Sequence, residues 1–159
     1  MLIINTGGTF NKRYNPLNGE LFVPSDDRAV EAVLERFADS FTVEGIIYKD
    51  SLEMDENDRE LLAQKVVESK EKEIVIVHGT DTMDLSADKL ASLGPEKVIV
   101  LTGAMVPFSI DPVEAAANLA MAIGYARNAP SGVHIVIQGI SGPFDRVKKN
   151  RTAGRFEYV

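Results

Sequence analysis

The sequence predicts a single α/β domain over residues 1–159, a doubly wound parallel sheet of about five strands with helices on both faces. Three observations predict it. Short β-branched runs alternate with longer segments of helical periodicity, the order that gives parallel strands joined by crossover helices. Ile74–Val77, four such residues behind a charged run, reads as a strand buried on both faces. Finally, the runs stop at clusters of Gly, Thr, Ser and Asp, which suit the ligand-facing carboxyl ends of a parallel sheet.

Taken in order, Leu2–Asn5 is the first strand and stops at Thr6-Gly7-Gly8-Thr9, where two glycines let backbone amides approach a ligand. It is not a phosphate-binding P-loop, because the Lys-Ser/Thr ending is missing. Residues 11–20 have no periodicity and read as a mobile loop over this strand end, with Tyr14 a candidate lid beside Thr9. Pro24-Ser25-Asp26-Asp27 opens a helix carrying Val30, Val33, Leu34 and Phe37 on one face. Phe41–Tyr48 is the second strand, with Gly45 a possible bulge, and Asp50-Ser51-Leu52-Glu53-Met54 follows it. Asp55 or Asn57 caps a helix expected to turn Leu61, Leu62, Val66 and Val67 inward.

The third strand, Ile74–Val77, ends in His78-Gly79-Thr80-Asp81-Thr82, and its helix runs to a stop at Gly94-Pro95. Capping alone needs one such residue; three beside a histidine point to a site. Lys97–Leu101 is the fourth strand, followed by Thr102-Gly103-Ala104-Met105-Val106-Pro107. Asp111-Pro112 starts the longest helix, whose alanines from Ala115 to Ala126 suggest close packing on the sheet or on another subunit. A homodimer or larger homo-oligomer is the expectation. Gly132–Ile137 is the fifth strand, then a glycine-rich excursion over 138–145 replaces a helix, and Arg155–Val159 forms one short strand.

Composition narrows the function. A net charge of -7 argues against nucleic acid as a partner. With no cysteine, disulfides, a thiolate nucleophile and a Cys-ligated metal are excluded, and His78 and His134 have no metal-ligand spacing around them. No metal or cofactor is expected. The start carries no charged n-region and the chain no long apolar run, so no membrane partner is expected and the cytoplasm is the expected location.

In a parallel sheet the four polar turns crowd onto one edge. Threonine is a poor nucleophile unless a base takes its proton, and the bases here are His78, Asp81 and the lysines after the fifth strand. A desolvated lysine loses its proton more readily, whereas Asp81 beside it favours the charged form, so the net sign stays open. Turn amides could hold an oxyanion or a substrate carboxylate. The residue types point to acyl transfer at a small polar substrate.

Thr-Gly-Gly-Thr-Phe, His-Gly-Thr-Asp-Thr-Met, and Gly-Ala-Met with Pro107 shortly after it resemble, in that order, the bacterial-type L-asparaginase/glutaminase family. The resemblance implies an amidohydrolase that converts L-asparagine to L-aspartate and ammonia without a cofactor. It implies Thr9 as the acylated nucleophile and Tyr14 as the loop tyrosine beside it. Thr80 and Asp81 fall in the second catalytic triad, with Asp81 also gripping the substrate's amino group. The family's Asp-x-x-Lys-x-Asn pattern fits Asp145 to Asn150 and selects Lys148 rather than Lys149 as the triad lysine. Ser51 matches the serine that holds the substrate carboxylate, and Leu52, Gly79 and Ala104 complete the implied substrate-binding set. Val106 replaces the family's usual arginine, and Leu52 replaces a residue that is often polar. Typical members are longer, with a carboxy-terminal domain that completes a neighbouring subunit's site, and this chain stops near where their interdomain linker begins. The alternative is a non-catalytic amino-acid-binding or sensing module that keeps the same edge.

Overall fold

Strand β1 (Leu2–Gly7) is buried at every position, and the rest of the chain is laid against it. The computed structural model describes all of residues 1–159. A hairpin of β2 (Arg13–Asn15) and β3 (Glu20–Phe22) follows, then α1 (Arg28–Leu34). Next come β4 (Thr42–Lys49), α2 (Glu56–Glu68), β5 (Glu73–Val77), α3 (Met83–Ala91), β6 (Val98–Thr102), α4 (Pro112–Ala126) and β7 (Gly132–Ile137). The chain closes with β8 (Ile140–Pro143), β9 (Val147–Asn150) and β10 (Arg155–Tyr158).

The main sheet has the order β4-β1-β5-β6-β7-β8. Its first five strands are parallel and β8 runs antiparallel to β7. Each face buries its own core. Leu62 and Val66 of α2 and Met83 and Leu90 of α3 cover one face with Ile4, Ile76 and Leu101. Val30 of α1 and Leu119 and Ile123 of α4 cover the other with Ile3, Val75 and Val100. The doubly wound α/β reading holds.

Local chemistry sets the helix starts. The Asp55 carboxylate accepts the Asp58 N–H at 3.0 Å and Asp58 returns the favour to the Asp55 N–H at 3.0 Å, a capping box that begins α2. Asp111 accepts the Val113 N–H at 3.0 Å and Pro112 takes the first turn of α4. The α4 alanines divide: Ala115, Ala122 and Ala126 lie on the sheet, while Ala117 and Ala120 face outward.

Three expectations are corrected. Residues 11–20 are not a mobile loop; Arg13–Asn15 pairs with Glu20–Phe22 around Gly19, whose N–H reaches Asn15 O at 2.8 Å. The excursion after β7 is a sixth strand. Gln138 (φ +52) and Gly139 (φ +79) form a two-residue turn of the kind that joins antiparallel strands, and it folds β8 back along β7. Lastly, Leu62 and Val66 of α2 are buried, but Leu61 and Val67 face solvent, because a straight helix cannot turn all four inward. The tail strand is present as β10, paired with β9. Its Tyr158 hydroxyl meets both Ser141 N and O of β8, which blunts the open sheet edge.

Candidate functional site

The chain leaves β1 for β4 on one side and returns to β5 on the other. The crevice between the carboxyl ends of β1 and β5 is therefore the topological switch point, where open α/β sheets bind ligands. Here the polar turns touch. A Cβ on Gly8 would lie 2.5 Å from Gly79 Cα and N, and one on Gly79 would lie 2.6 Å from Ser51 Cβ. The turns after β1, β4 and β5 are thus packed almost backbone to backbone. Gly8 also sits at φ +70, where a side chain strains the backbone. We expect Gly8→Ala to cost roughly 2–5 kcal/mol, strain plus overpacking, because backbone atoms cannot step aside. Urea unfolding should show a lower midpoint at unchanged slope; an unchanged midpoint would disprove the close packing.

Buried amides hold these turns. Asn5 accepts the Gly7 N–H at 3.0 Å and donates to Asp27 at 2.8 Å, while Asn11 Nδ2 donates to Asn5 Oδ1 at 2.7 Å and Gly7 O at 2.9 Å. Gly8 N–H reaches Lys49 O at 2.8 Å. Across the sheet, Asn118 of α4 donates to Gly103 O at 2.9 Å and accepts the Gln138 N–H at 2.8 Å. The Glu114 carboxylate takes the Met105 and Val106 N–H groups at 3.1 and 3.0 Å. The Gly-Ala-Met-Val turn is so fastened to α4.

Reactive groups meet above this scaffold. Lys149 Nζ lies 2.8 Å from Thr80 Oγ1 and 2.8 Å from Asp81 Oδ1. Its side chain is only 13% exposed, so the contact is shielded from water. Arg151 donates to Asp81 O at 2.6 Å. The expected lysine is corrected by one position. Lys148 does not reach Thr80 or Asp81; its ammonium sits 5.7 Å above the Phe144 ring. The cause is strand alternation. Val147 is buried, so Lys149 shares its inward face, opposite buried Phe156, and Lys148 takes the other.

The remaining expected residues are distributed unevenly. Thr9 begins a short 3-10 turn, partly exposed, and its hydroxyl makes no hydrogen bond within the chain. Tyr14 is 58% exposed on the hairpin and Leu52 is also exposed. Ala104 is fully buried in the core, backbone included, and presents no surface to a ligand. Ser51 is 1% exposed; its Oγ accepts the Asp81 N–H at 3.2 Å and its carbonyl accepts the Thr82 hydroxyl at 2.8 Å. No cluster of three or more His, Asp or Glu side chains is arranged to hold a metal ion. No helix is long and apolar enough to cross a membrane.

Residues 1–156 match the family described as Asparaginase, N-terminal. The chain belongs to the asparaginase family. Over 97% of its length it is 28% identical to an L-asparaginase of Thermococcus kodakarensis, and the match covers 48% of that protein. The structure of the thermostable L-asparaginase from that organism superposes with a TM-score of 0.85 at 27% identity, over 99% of this chain and 50% of the other. L-asparaginase I from Vibrio cholerae shares the fold, with a TM-score of 0.80 at 24% identity over the same shares. The chain spans about half the length of the relatives it matches.

In this asparaginase-family chain, His78 is structural rather than a base. It is fully buried, and Gly79 O, which can only accept, lies 2.7 Å from its Nδ1. Nε2 then accepts from the Ser86 hydroxyl at 2.8 Å. Burial pushes its pKa down to about 4, with the Gly79 carbonyl pulling the other way. Below its unfolded value near 6.5, the unfolded chain binds a proton that the folded chain refuses. Stability therefore falls as pH drops from about 6.5 to 4, by up to roughly 3 kcal/mol. The carboxyls of Asp26, Asp50 and Asp58 are held below their usual range and act only at lower pH. Thermal melting should show this acid slope, and His78→Gln should flatten it; an equal slope in both proteins would contradict the assignment.

Proposed function

We propose that this asparaginase-family chain hydrolyses the side-chain amide of L-asparagine to L-aspartate and ammonia. The reaction needs a hydroxyl nucleophile and a group that moves protons. Thr9 supplies the hydroxyl: its oxygen attacks the amide carbon, the C–N bond breaks, and the nitrogen leaves as ammonia. Water then cleaves the Thr9 ester, releasing aspartate and restoring the hydroxyl. Thr80, Lys149 and Asp81 pass the protons, Lys149 from its place between the other two. Amides of the packed turns hold the developing oxyanion. The observation that carries the reading is Lys149 Nζ at 2.8 Å from both Thr80 Oγ1 and Asp81 Oδ1 at the switch-point edge. A pure binding site has no use for a shielded lysine aimed at a hydroxyl.

The test is ammonia release by the purified chain, with asparagine and glutamine in parallel. Release from asparagine in proportion to protein supports the reading. Calorimetric binding of asparagine with no release would replace it with an amino-acid-binding module.

A further inference from the structure

An asparagine can lose its side-chain amide to its own backbone when the next nitrogen reaches the carboxamide carbon. Glycine in the next position makes that approach easiest, because no Cβ stands in the way. The chain has this pair once, at Asn18-Gly19. Asn5, Asn11 and Asn118 are buried and held by hydrogen bonds, and Asn15 precedes Pro16, which has no N–H to react. Asn57, Asn128 and Asn150 each precede a residue with a side chain.

Asn18-Gly19 lies at the tip of the β2–β3 hairpin. Asn18, Gly19 and Glu20 are all exposed and Leu17 is 94% exposed, so the tip is open to water. The Glu20 N–H donates to Asn18 Oδ1 at 3.1 Å, and Asn18 Nδ2 donates to the Glu20 carboxylate at 3.1 Å. The first bond closes an Asx turn, which folds the carboxamide back towards the Gly19 nitrogen. It also sets a donor on the oxygen that takes up negative charge when the carbon is attacked. The Gly19 N–H is engaged with Asn15 O at 2.8 Å, and this bond must open first. It belongs to a pair of three-residue strands outside the main sheet, and an isolated hairpin of that size is marginal in water.

We propose that Asn18 is a site of spontaneous deamidation that loosens the hairpin carrying Tyr14. The Gly19 nitrogen gives its proton to solvent and bonds to Asn18 Cγ. The Cγ–Nδ2 bond breaks, and that nitrogen takes up a proton and leaves as ammonia. Water then opens the cyclic imide at either carbonyl. Breaking the Cγ–N bond gives aspartate; breaking the bond from the Asn18 backbone carbon gives isoaspartate. Aspartate sets a carboxylate against Glu20 where an amide donated before. Isoaspartate routes the backbone through Cβ and lengthens the turn by one atom, which disturbs the Asn15–Glu20 and Tyr14–Leu21 pairing. Tyr14 stands close by, since a Cβ on Gly19 would lie 3.9 Å from its hydroxyl. The site does not depend on the amide-hydrolysis reading.

The experiment ages the purified chain in warm, mildly alkaline buffer and follows it by tryptic digestion and tandem mass spectrometry. The peptide 14–28 contains Asn15 and Asn18 and no other asparagine, and Asn15 serves as the unreactive control. NH should be replaced by O at Asn18 at least about tenfold faster than at Asn57, Asn128 or Asn150, a barrier difference of about 1.4 kcal/mol. Gly19→Ala should slow the change by a similar factor. Thr9→Ala should deamidate as fast as wild type, because no active site takes part. Amide hydrogen exchange over 14–28 should be faster in the aged protein than in the fresh one. Asn18 reacting no faster than the other three, an equal rate in Gly19→Ala, or loss of the reaction in Thr9→Ala overturns the site. Modification at Asn18 with unaltered exchange overturns the loosening.

Discussion

Thr9→Ala is expected to lower the rate of ammonia release from asparagine by at least about three orders of magnitude, the scale seen when a covalent nucleophile is removed. The fold should not suffer. Thr9 lies in a partly exposed turn and its hydroxyl has no hydrogen bond within the chain, so its deletion leaves no orphaned partner. The melting temperature should stay at the wild-type value, which separates a lost nucleophile from a lost structure. Thr9→Ser, which keeps an oxygen on the same carbon, should retain part of the rate. Full activity in Thr9→Ala would transfer the role to Thr80, the hydroxyl that Lys149 touches.

Lys149→Met should slow the reaction at least about a hundredfold, the low end for a group that moves a proton in the transition state. Methionine keeps the length of the stem and its packing beside buried Val147 and Phe156, so shape is preserved while the nitrogen is lost. Lys148→Met should leave the rate nearly unchanged, since the Lys148 ammonium sits over Phe144 rather than on Thr80 or Asp81. The two variants differ by one position and remove the same charge, so any effect of net charge cancels between them. The reverse pattern, a slow Lys148→Met beside a normal Lys149→Met, would restore the register that the Asp-x-x-Lys pattern selects.

That one-residue question marks where local pattern stops being sufficient. Hydrophobic runs such as Ile74–Val77 and stop signals such as Gly94-Pro95 are local, so the parallel strands and all four helices are legible in the chain. So is the crowding of Thr-Gly-Gly-Thr, Ser51 and His-Gly-Thr-Asp-Thr on one edge, because a parallel sheet puts every strand's carboxyl end on the same side. Period-two alternation also hints at Lys149, with apolar Val147 two residues before it. The hint is usable only once 147–150 is known to be a strand, and its pairing partner lies at 155–158. The hairpin at 13–22 and the β7–β8 turn were missed because polar, glycine-bearing segments spell loop and strand alike until a neighbour supplies hydrogen bonds. Asn5, Asn11, Glu114 and Asn118 are also invisible as site builders in the sequence. Polar side chains look alike there, and only the folded chain decides which of them is buried against an unpaired backbone group and must bond to it.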